Sequence, residues 1–250
     1  YRLDRFRIAA TVATPAEIAR LTHADVGHVL AKSFSFLQRY LPLARRAIFV
    51  QRQDGFDPRF TALSGHVYLI GYFQSPRYFA HMADLIRDEL TLREPPDGAN
   101  RALLESIMSC PAVSVHVRRG DYLTNPLYRD ICTLDYYLAA MREIVARVAA
   151  PHFFVFSDDI AWAQDHIQTD HPITYVAHNG PARDHEDLRL MRHCRHHIIA
   201  NSSFSWWGAW LATHPEQLVV APHRWLNVAA REPRELIPES WFRISAGVAG

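Results

Sequence analysis

The chain is 250 residues long, 49% hydrophobic and 21% charged, with a formal net charge of +1. Such a balance supports one large or two small domains with a sizeable core, excludes wholesale disorder, and gives no basic field of the kind that advertises nucleic acid. Three cysteines without CxxC spacing (Cys110, Cys132 and Cys194) argue against a disulfide framework or a structural zinc site and fit a reducing compartment, and neither a membrane-length apolar run nor a signal peptide is read.

In chain order, "PAEIARL" (Pro15 to Leu21) predicts a short helix with Pro in its first turn. "RAIFVQ" (Arg46 to Gln51) and "HVYLIGYFQ" (His66 to Gln74, broken at Gly71) read as strands. Helical spacing follows from Tyr78 to Leu90, and "REPPDGAN" (Arg93 to Asn100) reads as a loop or linker. Beyond it the rhythm is regular. A helix near Arg101 to Met108 leads into strand "AVSVHV" (Ala112 to Val117), and a second helix covers Leu134 to Val148. Then come strand "HFFVFS" (His152 to Ser157), a helix from Ile160 to Gln168 and strand "ITYVA" (Ile173 to Ala177). A helix capped by Asp184 runs to Cys194, followed by strand "HIIA" (His197 to Ala200), a helix from Ser203 to Ala212, and a last strand from Gln217 to Pro222. Alternating short apolar strands and helices predict an α/β fold with a parallel sheet covered on both faces, and ligands of such sheets sit beyond the carboxyl ends of the strands.

Three strand ends carry polar clusters: His116-Val117-Arg118-Arg119-Gly120-Asp121-Tyr122, then Ser157-Asp158-Asp159, then Asn201-Ser202-Ser203-Phe204-Ser205, which opens a helix. Helix-start N–H groups lack intrahelical partners and favour anions, so the serines either cradle a phosphate or simply cap the helix. Arginine recognises phosphate bidentately, but adjacent arginines point to opposite sides of a strand. One of the pair is expected to face a ligand and the other to pair with a carboxylate such as Asp121. The Asp158-Asp159 pair lacks the alternate spacing of a metal site, and one of the two is expected to cap the next helix. His193 and His197 have a zinc-compatible spacing, yet a chance pair is expected among 15 histidines. Asn201 opens an "NSS" sequon that matters only in a secreted protein, and Trp206, Trp207 and Trp210 are expected mainly to pack, with one of them open to sugar stacking.

"HVRRGDY" (His116 to Tyr122) together with "DLRLMRHCRHHIIANSSFSWWGAWL" (Asp187 to Leu211) resembles the paired signatures of α-1,2-fucosyltransferases, glycosyltransferase family 11. "GYFQSPRYF" (Gly71 to Phe79) and "APHRW" (Ala221 to Trp225) also resemble segments of that family. The resemblance implies a GT-B-like architecture of two Rossmann-like halves. A partial acceptor-side domain would cover residues 1–99 and a Rossmann-like GDP-sugar-binding domain residues 100–250. The N-terminal half is expected to be incomplete, because members usually begin with a strand and a glycine-rich "GGLGNQ"-like loop that is not found here. The implied activity is inverting transfer of L-fucose from GDP-fucose to the 2-hydroxyl of a terminal β-galactoside of a glycan, as by a galactoside 2-α-L-fucosyltransferase. The resemblance implies no metal or cofactor beyond the donor. A bacterial cytoplasmic setting is expected, at the inner membrane face if the acceptor is lipid-linked. A GDP-sugar transferase of another linkage and an inactive nucleotide- or glycan-binding remnant are the alternatives.

By the same resemblance Arg118 would grip the β-phosphate, His116 would lie against the nucleotide, and Asp187 would contact the guanosine end. Ser203, Phe204 and Ser205 would close around the phosphates, with Arg119, Asp158, Asn201 and Ser202 also in the substrate site. Asp121 is the candidate catalytic base, its competing role being an ion pair with Arg119, and His116 is the second choice.

Overall fold

The computed structural model describes residues 2–22, 40–52, 55–229 and 235–245. The chain divides into two compact units. One comprises residues 1–7, 90–232 and 237–250, the other residues 8–89 and 233–236.

The larger unit is built on six parallel strands. In chain order the described strands are β1 (Ile48–Val50) and β2 (Tyr68–Ile70) in the smaller unit, then β3 (Ala112–Val117), β4 (His152–Ser157), β5 (Ile173–Val176), β6 (His196–Ile198), β7 (Val219–Pro222) and β8 (Phe242–Ile244). The six-stranded sheet has the order β5-β4-β3-β6-β7-β8, and every neighbouring pair is parallel. From β3 the chain first moves outward to β5, then jumps back to β6 and continues the other way. This is the doubly wound nucleotide-binding order, with its switch point between β3 and β6. The α/β class and the parallel sheet expected from the sequence hold, and this unit is Rossmann-like.

Both faces of the sheet are covered because its strands are apolar on both sides. Val113, Val115 and Val117 of β3 and Phe153 and Val155 of β4 meet Tyr136, Tyr137, Ala140, Met141 and Ile144 of helix Leu134–Val145. The alternate residues Ala112, Phe154 and Phe156 meet Ile107 of helix Gly98–Met108 and Leu190 and Met191 of helix Asp184–His193. Each fully buried Val, Ile, Leu, Phe or Met among them contributes roughly 1.5–3 kcal/mol. His116 sits on this second face at the last turn of β3, which aims it toward helix Ser203–Leu211.

The smaller unit holds a two-stranded parallel ladder, β1 with β2, and a cluster of rings from Phe49, Phe56, Phe60, Phe73 and Tyr78. The helix expected from Tyr78 is shorter here. Tight turns at Pro76–Tyr78 and Ala80–Met82 precede a helix at Ala83–Glu89, because Pro76 and its Ser75 cap fix a separate turn. Four further details differ from the sequence reading. The "loop" before Arg101 ends at Asp97, which caps a helix beginning at Gly98 by accepting the Asn100 N–H. Asp184 is the first residue of its helix rather than its cap, since Arg183 takes the cap position without a side-chain bond. His193 ends a helix while His197 lies in β6 on Ser114, so the two share no helix face. The short strand β8 was not anticipated at all. Among the described residues no helix is long and apolar enough to cross a membrane.

Candidate functional site

A cleft of about 660 Å³ opens over the carboxyl ends of β3 and β4 and the segment after β6. That volume lies within the roughly 300–1,000 Å³ of ordinary ligand pockets, and the place is where the switch-point rule puts a ligand. His116, Arg118, Asp121, Asp158, Asp187, Ser202, Ser203 and Phe204 line it, together with Tyr122, Tyr128, Asn179 and Asp184. Eight of the candidate residues from four separated segments therefore meet in one place.

Arg118 leaves the end of β3 and is about one third exposed. Its Nη2 donates to Asp121 Oδ1 at 2.7 Å, and its Nη1 lies 3.1 Å from Asp158 Oδ2. The guanidinium also sits 5.4 Å from the centre of the Tyr122 ring. Asp158 is held in turn, because its Oδ1 accepts the backbone N–H of Arg119 at 2.8 Å. Gly120 makes this approach feasible: a Cβ there would stand 2.6 Å from Asp158 Oδ2, so any side chain would push the carboxylate away.

Arg119 points elsewhere, as strand alternation requires. It pairs with Asp159 at 3.1 Å and lies over the Trp162 ring, with 3.8 Å between its guanidinium carbon and the ring centre. Asp159 also caps the helix Ile160–His166 by accepting the Trp162 N–H. The partner expected for Arg119 thus changes from Asp121 to Asp159, and Asp121 goes to Arg118. Arg119 does not line the cleft.

The third cluster divides in the same way. Ser202 occupies the cap position of helix Ser203–Leu211 in extended conformation and makes no side-chain cap bond, which leaves first-turn N–H groups to the cleft. Ser205 is fully buried, and its hydroxyl donates back to the carbonyls of Ala200 and Ser202 at 3.3 and 3.1 Å. Asn201 is buried too, its amide donating to the Trp225 carbonyl at 3.1 Å, and it does not line the cleft. Of the tryptophans, Trp206 is buried and stacks on Trp210, whereas Trp207 lines a separate apolar hollow with Leu188 and Phe204.

His116 is buried against Phe204, with 5.5 Å between ring centres, and its Nδ1 has no partner. Burial, reinforced by the charge of Arg118, pushes its pKa down to about 3, so it is a neutral ring. Asp187 is displaced the opposite way. Burial lifts it to about 7, against the pull of an Asn179 N–H that donates to its Oδ1 at 2.9 Å. Among the described residues no cluster of three His, Cys, Asp or Glu side chains could hold a metal ion.

Asn179, Asp184, Tyr128 and Gly120 were missed as site residues. Asn179 follows β5 in the stretch "AHNGP", a fourth strand end on the same rim, and the strand-end rule applied once more would have flagged it. Tyr128 carries no motif; it enters through its stacking on Tyr122, with ring centres 4.7 Å apart.

Residues 52–244, well over half of the chain, match the model of Glycosyl transferase family 11. The chain is 34% identical over 193 residues to an alpha-1,2-colitosyltransferase of Escherichia coli, covering 73% of this chain and 64% of that protein. It is 38% identical over 135 residues to the O-antigen biosynthesis glycosyltransferase WbnK of Escherichia coli, covering 52% and 44% respectively. To the galactoside 2-alpha-L-fucosyltransferase Sec1 of Mus musculus it is 32% identical over 171 residues, covering 63% and 46%. It therefore spans between about two fifths and two thirds of the length of these relatives.

Proposed function

The chain belongs to glycosyl transferase family 11, and from that premise we propose that it transfers an L-fucosyl group, with inversion, from GDP-fucose to the 2-hydroxyl of a terminal β-galactoside. The observation that carries this reading is the meeting of Arg118, the uncapped start of helix Ser203–Leu211 and the neutral His116 in one cleft at the switch point. A leaving nucleoside diphosphate gains negative charge as its bond to the sugar breaks, and fixed donors aimed there stabilise that charge.

The pairing of Arg118 gives the step an order. Asp158 is anchored by the Arg119 backbone and stays with the guanidinium, fixing its direction. Asp121 is mostly exposed, so its bond to Arg118 costs little to exchange for a phosphate oxygen. A bound diphosphate takes that place and frees Asp121 to accept the proton of the acceptor hydroxyl. The acceptor oxygen then bonds to the anomeric carbon while the carbon–oxygen bond to the β-phosphate breaks, its electron pair leaving with GDP. Charge neutralisation is assigned to Arg118 and the helix start, with no metal requirement.

The Escherichia coli alpha-1,2-colitosyltransferase, at 34% identity, favours a colitosyl group as the second donor to try. An acceptor glycan under assembly, cytoplasmic or presented on a lipid at the membrane face, accords with the O-antigen role named for WbnK. The test is calorimetric titration of the folded chain with GDP, with UDP and ADP as controls. Selective GDP binding is expected, and a folded sample that binds none of the three overturns the reading. Where transfer is measured, it should persist in excess chelator; loss restored by Mg²⁺ would move charge neutralisation from Arg118 to a metal.

A further inference from the structure

On the β5 side of the cleft, four side chains from three segments form one hydrogen-bonded line. Asp97 Oδ1 accepts from Asn100 Nδ2 at 3.0 Å. The amides of Asn100 and Asn179 then bond reciprocally, Asn100 Nδ2 to Asn179 Oδ1 at 3.1 Å and Asn179 Nδ2 to Asn100 Oδ1 at 2.8 Å. Asn179 Nδ2 donates onward to Asp187 Oδ1 at 2.9 Å. Asn100 is completely buried.

The orientation of both amides follows from the Asp97 end of the line. An ionised carboxylate only accepts, so Asn100 turns its NH₂ toward Asp97 and its second hydrogen to the Asn179 oxygen, which leaves the Asn179 NH₂ facing Asp187. Asp97 is a firm anchor: the Asn100 backbone N–H, and then Arg183, hold its carboxyl down to about 2. With Asn100 fixed, its oxygen takes the second hydrogen of Asn179, and His178 Nε2 reaches the same oxygen at 2.9 Å. Asn179 lines the cleft, yet both of its hydrogens and its oxygen are engaged. It has little left for a ligand and instead holds Asp187, whose second oxygen remains for one.

We propose that the Asp97–Asn100–Asn179 line makes this end of the cleft selective for guanine, by holding one oxygen of Asp187 and leaving the other, when ionised, to accept from the base. The inference rests on the donor reading above and extends it to the residues that set base choice. Guanine offers two adjacent donors, N1–H and the 2-amino group, which suit an ionised carboxylate. Adenine offers one donor beside the N1 lone pair, which the same carboxylate repels. Asp187 contacts the base; Asn179 and Asn100 are positioning residues.

The test compares affinities for GDP, IDP and ADP, where IDP keeps N1–H but lacks the 2-amino group. The unmodified chain should bind them in the order GDP, IDP, ADP. Asn179→Ala should weaken GDP about tenfold, the effect of losing one hydrogen bond to a charged group; Asn100→Ala, which acts on Asp187 only through Asn179, should weaken it less, and both should leave ADP unchanged. A purely structural defect would weaken all three alike. Asn100→Ala keeps the backbone N–H that Asp97 caps, and Asn179→Ala alters a half-buried loop position, so the second variant decides if the first does not fold. A GDP-to-ADP ratio unaltered by Asn179→Ala overturns the inference while leaving the donor reading intact. Absence of GDP binding by the unmodified chain overturns both.

Discussion

The two ends of the cleft are built on opposite principles. Around Arg118 the ion pairs are short but wet, with the guanidinium about one third exposed and Asp121 more than half exposed. Around Asp187 the contacts are amide to amide and carboxylate, and their centre, Asn100, is dry. A contact that must be exchanged when a charged ligand arrives is cheap to break in a high dielectric, and holding it there keeps the site reversible. A contact that must discriminate between similar bases gains from low dielectric and fixed geometry, because an unmatched polar group then has no water to satisfy it.

Arg118→Ala breaks the wet end and should have the largest effect. Turnover is expected to fall roughly a hundred- to a thousandfold, the usual cost of removing a donor from developing charge. The melting temperature should hardly change, since the ion pairs lost are exposed ones. Single-turnover kinetics beside a thermal melt checks both halves. Near-normal turnover would remove Arg118 from the diphosphate role and leave the helix start to carry it alone.

A smaller, graded effect sharpens the contrast at the other end. Asp187 titrates at about 7 in the folded chain, raised by burial and by Asp184 and Glu186 on its own helix, and lowered by Asn179 and Arg183. Asp97 and Asn100 at the start of the facing helix act on it only through Asn179. His185, kept neutral to lower pH chiefly by burial, adds no charge near 7. GDP should therefore bind more tightly as pH rises through 7 and release one proton on binding below it. Stability moves the other way. A carboxyl with a raised folded pKa binds more protons folded than unfolded, so its contribution falls as pH climbs from about 4 to about 7 and is flat above. Asp187→Asn should abolish both slopes, and titrations and melts between pH 5 and 8 decide; a GDP affinity independent of pH would show that Asp187 does not face the base.

The difference between the ends also explains what was legible in the sequence. Arg118, Asp121, His116 and the serine cluster lie in contiguous stretches at strand ends, where alternation and helix polarity point to a ligand without coordinates. The six-residue strands β3 and β4 were readable to the residue because both their faces are apolar. The relay was not readable, since Asp97, Asn100, Asn179 and Asp187 are spread over ninety residues and meet only because α/β winding returns β5 beside β4. Asn100 in particular looks like a loop residue until the Asp97 cap starts its helix three residues earlier than periodicity suggests. The choice of carboxylate for each arginine was equally hidden: Asp121 is near in sequence, whereas Asp158 and Asp159 come from the end of β4, which pairs beside β3.

Ser205 gives the smallest and most specific test of how far sequence adjacency misleads. It follows directly on Ser202, Ser203 and Phe204, which line the cleft, so the sequence places it in the phosphate cradle with Ser203. In the fold its hydroxyl turns inward and bonds the carbonyls of Ala200 and Ser202, tying the end of β6 to the helix start. Ser205→Ala should leave the GDP affinity within about twofold, because no ligand contact is lost. It should cost about 1 kcal/mol of stability, the net worth of an ordinary buried hydrogen bond. Calorimetry and a denaturant melt separate the two. A tenfold loss of affinity at unchanged stability would mean that the hydroxyl rotates outward when the diphosphate binds, and the cradle would then extend one residue further into the helix than the cleft-lining residues do.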